Sequence, residues 1–222
     1  MILVFDLDDT LYLEISYMRS GFRAVSQFLS KKIKLPAHSI YKELLRIERV
    51  RGRGQVFDIF LRASNFYSRK LVSQCVSTYR LHKPIITLNR DAINCLKRFA
   101  DLPIYIVTDG NKIVQQNKIR ALKVDRLVKK VYITHRYGIK NSKPSPFCFL
   151  DIANREKMDP GRIFYIGDNP SKDFVGIKPH GFKTIRIVQG MHRNVNVRKD
   201  FDAIYCIKSL NELKHNLLLK LL

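Results

Sequence analysis

The hydrophobic pattern along the chain falls into two regimes. Residues 2–5 (ILVF) form a short apolar run that ends abruptly in acids. From about residue 100 onward, similar runs recur at 104–107, 131–133, 163–166, 184–188 and 203–207, separated by stretches of helical character. Continuous short apolar runs mark strands buried on both faces, and helices between them predict a parallel sheet. Helix-start residues stand between the runs: Asn111 after a glycine, Ser145-Pro146, and Pro170-Ser171.

Residues 13–82 follow the other regime. Ile15, Met18, Phe22, Val25 and Leu29 recur at helical spacing, as do Ile40, Leu44, Ile47 and Val50. Val56, Phe60 and Ala63, then Val72, Val76 and Tyr79, extend the pattern, with no strand-like alternation between them. Four helices are therefore expected here, with turns at Pro36 and at Arg51-Gly52-Arg53-Gly54. The predicted fold is α/β: a Rossmann-like parallel sheet core (residues 1–12 and 83–222) with a helical cap domain (13–82) inserted after the first strand. Leu210, Leu213, Leu217, Leu218 and Leu221 line one face of an expected last helix, which either packs on the sheet or lies on a membrane surface.

A chain of 222 residues can bury a full core, and 45% hydrophobic with 27% charged residues is ordinary for a globular protein. No apolar run approaches the roughly 18–20 residues of a transmembrane helix. The N-terminal residues lack the layout of a signal peptide. The four cysteines show no CxxC pair, so free thiols and a cytoplasmic setting are expected. Charge changes the picture more. Forty-one Lys and Arg against 19 acids give a formal +22, a balance suited to nucleic acid, an anionic membrane surface or a small anionic substrate. The cations are dispersed along the chain, which argues against a dedicated nucleic-acid arm.

Four stretches carry candidate chemistry, each at or just beyond the end of a predicted strand. Asp6-Leu7-Asp8-Asp9-Thr10 crowds three carboxylates after a buried strand, which is costly unless a cation or substrate compensates. Alternation puts Asp6 and Asp8 on one side, at the sheet edge where α/β proteins bind ligands. The alternative is that Asp8, Asp9 or Thr10 caps the next helix. Thr108-Asp109-Gly110-Asn111 either presents a hydroxyl and backbone N–H groups to an anion or is a plain turn with a helix cap. Lys143 in Lys143-Pro144-Ser145-Pro146 offers a point charge to a phosphoryl group or to a carboxylate. Asp168, in GDNPSKD (167–173), follows a strand as Asp6 does; hard cations such as Mg²⁺ take one or two such carboxylates plus water and substrate oxygens.

In this order the four stretches resemble the motifs of the haloacid-dehalogenase-like (HAD) superfamily: a DxDxT loop, a strand-end Ser/Thr, a lysine and a late acidic pair. They match Asp6 to Thr10, Thr108, Lys143, and Asp168 with Asp173. The helical insertion is similar to the superfamily's C1 cap. One departure is His135-Arg136 and the run 137–142 before the lysine, where many relatives have acids; Lys140 thereby competes with Lys143 for the lysine role.

The resemblance implies a Mg²⁺-dependent phosphatase acting on a small anionic phosphorylated metabolite, a sugar phosphate or nucleotide, through an aspartyl-phosphate. Asp6 is then the nucleophile and Asp8 the general acid and base. Mg²⁺ is held by the side chains of Asp6 and Asp168 and the main-chain carbonyl of Asp8. Thr108 and Lys143, with the N–H groups of Asp109 and Gly110, bind the phosphoryl oxygens, and Asp173 supports the metal water or Lys143. Arg49, Arg51 and Arg53 either greet a second anionic group of the substrate or form a solvated loop. A phosphomutase, and a basic nucleic-acid-binding protein on this scaffold, are the alternative readings.

Overall fold

The computed structural model describes residues 1–222. They divide into two compact units, residues 1–14 with 87–222 and residues 15–86.

The first unit is built on six strands: β1 (Ile2–Phe5), β2 (Ile104–Thr108), β3 (Lys130–Ile133), β4 (Ile163–Gly167), β5 (Lys183–Ile187) and β6 (Tyr205–Ile207). They pair in the order β3-β2-β1-β4-β5-β6, every pair parallel. β1 lies centrally, with Val4 in register with Tyr105 of β2 and Tyr165 of β4. All four of its side chains are fully buried, which is why its apolar run is unbroken: neither face meets water. Ile2, Val4, Tyr105 and Tyr165 pack with Phe149 and Phe174 in one core cluster. The order reverses beside β1, and in open α/β sheets ligands bind beyond the strand ends at such a point.

The chain differs from the sequence reading in two places. No α-helix starts at Pro170-Ser171: residues 168–177 are turns, followed by a 3₁₀ turn at Lys178–His180. Gly176, Pro179 and Gly181 lie too close together for a helix to propagate. The last helix is also short, His215–Leu221. Leu210 and Leu213 are buried ahead of it, where their carbonyls accept hydrogen bonds from Arg98 at 3.3 and 2.6 Å.

The second unit contains most of α1 (Glu14–Ile33), then α2 (Ala37–Arg51), α3 (Val56–Ala63) and α4 (Arg69–Leu81). Their apolar stripes meet in a separate core that includes Met18, Phe22, Leu44, Ile47, Phe60 and Cys75. Gly52 ends α2 at φ 74°, a left-handed value that a side chain would resist. No helix is long and apolar enough to cross a membrane.

Candidate active site

The end of β1 places Asp6 at the sheet edge, its amide still bonded to the Ile166 carbonyl at 2.8 Å. Lys143 reaches it from the segment before α7 (Phe147–Glu156), and the Lys143–Pro144 peptide bond is cis. Its ammonium lies 2.5 Å from Asp6 Oδ1, 2.9 Å from Asp173 Oδ1 and 2.7 Å from the Tyr165 hydroxyl. Lys143 is 1% exposed at its side chain and Asp173 likewise, so the cation is desolvated and matched by carboxylates. Burial pulls the ammonium's pKa down, but Asp173 and Asp6 outweigh it and hold it well above the usual lysine value. Lys140, by contrast, is exposed in a 3₁₀ turn.

Asp173 is fixed in turn by the Tyr165 hydroxyl at 3.0 Å and by the Asn169 amide at 2.9 Å. Asp109 serves the same loop from the other side. Its Oδ1 accepts from the Thr134 hydroxyl at 2.5 Å and the Lys143 amide at 3.1 Å, and Lys172 stands 3.3 Å from Oδ2. Its carboxylate is therefore a structural tie, so any contact of Asp109 with an anion falls to its backbone. Gly110 follows at φ 132°.

The three acids after β1 have separate surroundings. Asp9 accepts from the Glu14 amide at 2.8 Å, at the start of α1, and from the Met191 amide at 3.0 Å. The helix-capping alternative thus describes Asp9. The Asp8 carboxylate takes Lys118 at 2.7 Å and the Tyr12 hydroxyl on Oδ1, and Gln115 at 2.8 Å on Oδ2. Burial pushes its pKa up, but the Lys118 ammonium and these hydrogen bonds prevail and hold it below the usual carboxylate value. Asp6 has no such surplus of donors: burial, then Asp173 and Asp8, raise it to about 7 against the pull of Lys143.

Asp168, one residue beyond β4, is buried and accepts no side-chain hydrogen bond. Burial first, then Asp6, Asp173 and Asp9, push it to about 9. Thr108 closes β2, fully buried, with its Oγ1 2.6 Å from Gln115 Nε2. No group of three or more Asp, Glu, His or Cys side chains converges as a metal cage.

Of the three cap arginines, Arg49 and Arg51 are exposed in the last turn of α2. Arg53 is half-buried, 3.7 Å from Glu48, and lines a cavity of about 270 Å³ with Phe22, Phe57, Asp58 and Tyr79. The sequence reading did not single out Gln115, Lys118 or Tyr165. Gln115 and Lys118 did leave a signal. With Ile119 and Leu122 they make the buried stripe of α6 (Lys112–Leu122), two polar residues at positions that periodicity assigns to apolar ones.

The model of the haloacid dehalogenase-like hydrolase family matches residues 1–181. The chain belongs to this family. Among its relatives, the glyceraldehyde 3-phosphate phosphatase of Methanopyrus kandleri is 28% identical, over 90% of this chain and 89% of that one. The glyceraldehyde 3-phosphate phosphatase of Pyrococcus furiosus is also 28% identical, over 96% and 90%. Among solved structures, the HAD-hydrolase YfnB from Bacillus subtilis, described as bound to magnesium, superposes with a TM-score of 0.66 over 97% of both chains at 19% identity. The HAD chain described here is thus a hydrolase, and the relatives it matches are phosphatases.

Proposed function

We propose that this HAD hydrolase is a magnesium-dependent phosphatase of a small phosphorylated sugar, working through a phosphoryl group carried on Asp6. The observation that carries this reading is the pairing of Asp6 with Lys143 at 2.5 Å in a buried site that Asp168 shares. The substrate of the relatives, glyceraldehyde 3-phosphate, supports a phosphorylated sugar as the substrate class.

The donor set fits a magnesium ion. Asp6 and Asp168 are both buried and both pushed up, to about 7 and about 9, as carboxylates are when their charge lacks compensation. Two such groups with water and substrate oxygens are what Mg²⁺ takes, so a full protein cage is not required. Asp6, Asp168 and the main-chain carbonyl of Asp8 would hold the ion; the Asp8 carboxylate is engaged elsewhere. When bound, Mg²⁺ offsets the repulsion between carboxylate and phosphate and stabilises charge in the transition state.

Asp6 attacks phosphorus, the bond to the leaving oxygen breaks, and Asp8 delivers a proton to that oxygen. An arriving phosphate dianion raises the proton affinity of Asp8 for this step. In the second half, Asp8 takes a proton from the water that attacks phosphorus, releasing inorganic phosphate and restoring Asp6. Thr108, Lys143 and the backbone N–H groups of Asp109 and Gly110 hold the phosphoryl oxygens, and Asp173 steadies Lys143. Arg53 is the cap arginine we assign to substrate choice, because it lines a cavity, whereas Arg49 and Arg51 are exposed on the last turn of α2. The cytoplasmic setting belongs to the same proposal, supported by four free thiols.

A panel of sugar phosphates and nucleotides tests the reading through phosphate release with and without Mg²⁺. Triose phosphates should be turned over, metal-dependently, and Asp6→Asn should be inactive but folded. Full activity in Asp6→Asn would falsify the nucleophile assignment.

A further inference from the structure

We infer that Gln115 and Lys118 are positioning residues for this reaction: Gln115 fixes the direction of the Thr108 hydroxyl hydrogen, and both hold the Asp8 carboxylate in place. The inference rests on the phosphatase reading for the roles of Thr108 and Asp8, and on geometry for the rest.

The buried stripe of α6 carries an amide and an ammonium where apolar side chains would ordinarily pack. Burying such groups is costly unless they are bonded, and each has a specific partner. Gln115 Nε2 lies 2.8 Å from Asp8 Oδ2 and 2.6 Å from Thr108 Oγ1. A carboxylate only accepts, so the amide nitrogen, not its oxygen, must face Asp8. Both hydrogens of that nitrogen are then committed, the second to Thr108. Because Thr108 Oγ1 accepts from Gln115, its own hydrogen is left for another acceptor, and no other protein group takes it. At the end of β2 that acceptor is a phosphoryl oxygen. Gln115 therefore turns a hydroxyl that could donate or accept into a dedicated donor.

Lys118 acts on the other oxygen of Asp8, 2.7 Å from Oδ1, and stands 3.7 Å from Glu14. With Tyr12 also on Oδ1, both Asp8 oxygens are held. A group that must meet the leaving oxygen and then a water gains from such restraint, since a misplacement of about 1 Å can cost on the order of 10²-fold in rate.

The test uses full-length Gln115→Met, Lys118→Met, Lys118→Arg, Thr108→Val and the double variant Gln115→Met/Thr108→Val, with melting temperature measured for each. In Mg²⁺-dependent release of phosphate from an aryl phosphate, both methionine variants should lose about 10- to 100-fold in kcat, with KM little changed in Lys118→Met and raised in Gln115→Met, which also frees the phosphate-binding Thr108 hydroxyl. Lys118→Arg should recover part of the loss. The double variant should lose less than the sum of the two single losses, because part of what Gln115 does runs through Thr108 and the rest through Asp8. Wild-type kcat in folded Gln115→Met or Lys118→Met, or additive losses in the double variant, overturns the inference. Calorimetric binding of inorganic phosphate gives a readout independent of turnover. Gln115→Met and Thr108→Val should weaken it alike, and the double variant no further. If wild type proved inactive yet kept that pattern, the phosphatase reading would fail while the Gln115–Thr108 coupling stood; unchanged binding in Gln115→Met would remove the coupling itself.

Discussion

Lys143 and Asp6, 137 positions apart in the chain, meet at 2.5 Å with almost no exposure to solvent. Asp173 completes the group at 2.9 Å. Removing one partner from such a cluster leaves an uncompensated buried charge, which typically costs about 3–5 kcal/mol. Lys143→Met should therefore lose stability of that order in denaturant unfolding as well as abolish turnover. Lys143→Met/Asp173→Asn should be more stable than Lys143→Met alone, because it removes one of the stranded carboxylates. If the single variant unfolds at the wild-type midpoint, the charges are not paired as described.

A second prediction concerns pH. Asp168 rises from 3.8 to about 9 on folding and Asp6 from 3.8 to about 7. A carboxyl with a raised folded pKa binds its proton more tightly in the folded state. Its stabilisation is fully present below pH 3.8 and is lost as pH climbs through the folded value. Metal-free protein should thus melt progressively lower from about pH 4, more steeply up to about 7 where both groups contribute, and on to about 9 through Asp168 alone. Mg²⁺ should raise the melting temperature more at alkaline than at acidic pH, since it binds the ionised carboxylates and stabilises by mass action. Asp168→Asn should flatten the profile; a profile unaltered in that variant would count against Asp168 as its source.

Thiol chemistry offers a simpler check. Burial pushes the Cys75, Cys95 and Cys148 thiols up to about 12, whereas Cys206 is exposed on β6. Reactivity follows the thiolate and its access. Under native conditions a maleimide should label Cys206 alone, and Cys206→Ser should abolish fast labelling. After denaturation all four cysteines should react. Fast native labelling of two or more sites would mean that the cores around Cys75, Cys95 or Cys148 open readily.

The strands were legible because a parallel strand has no solvent face. The runs 2–5, 104–107 and 163–166 needed no alternation to be recognised, and each strand matches its run to within a residue. The helical insertion was legible through its 3.6 period. The same rule overreached at Leu210 and Leu213, whose burial comes from packing beside Arg98 rather than from a helix. At the site, Asp6, Thr108 and Asp168 stood out because strand ends are local features. Their partners did not: Gln115 and Lys118 lie 107 and 110 residues from Asp8, and only the folded sheet brings them together. Asp109 shows the same limit, since its carboxylate holds Thr134 and the Lys143 amide, contacts that no local spacing announces.

Gly176 ties the Lys143 loop to the turn after Asp173, and its substitution separates packing from charge. A Cβ at this position would lie 1.7 Å from the Pro144 carbonyl oxygen and 2.7 Å from its carbon, both backbone atoms. No rotamer change relieves a clash with backbone, so in Gly176→Ala either the Pro144 carbonyl retreats or the turn does. Overpacking of this kind costs about 1–3 kcal/mol. The peptide that must move adjoins Lys143, whose ammonium sits on Asp6, so a shift approaching 1 Å is expected to lower kcat by up to about 10²-fold. Gly54→Ala is the control: nothing lies within 4 Å of its added Cβ, and both stability and turnover should remain close to wild type. If Gly176→Ala matched that control in both measurements, the loop would not be seated against Gly176, and the backbone route by which Lys143 is positioned would have to be abandoned.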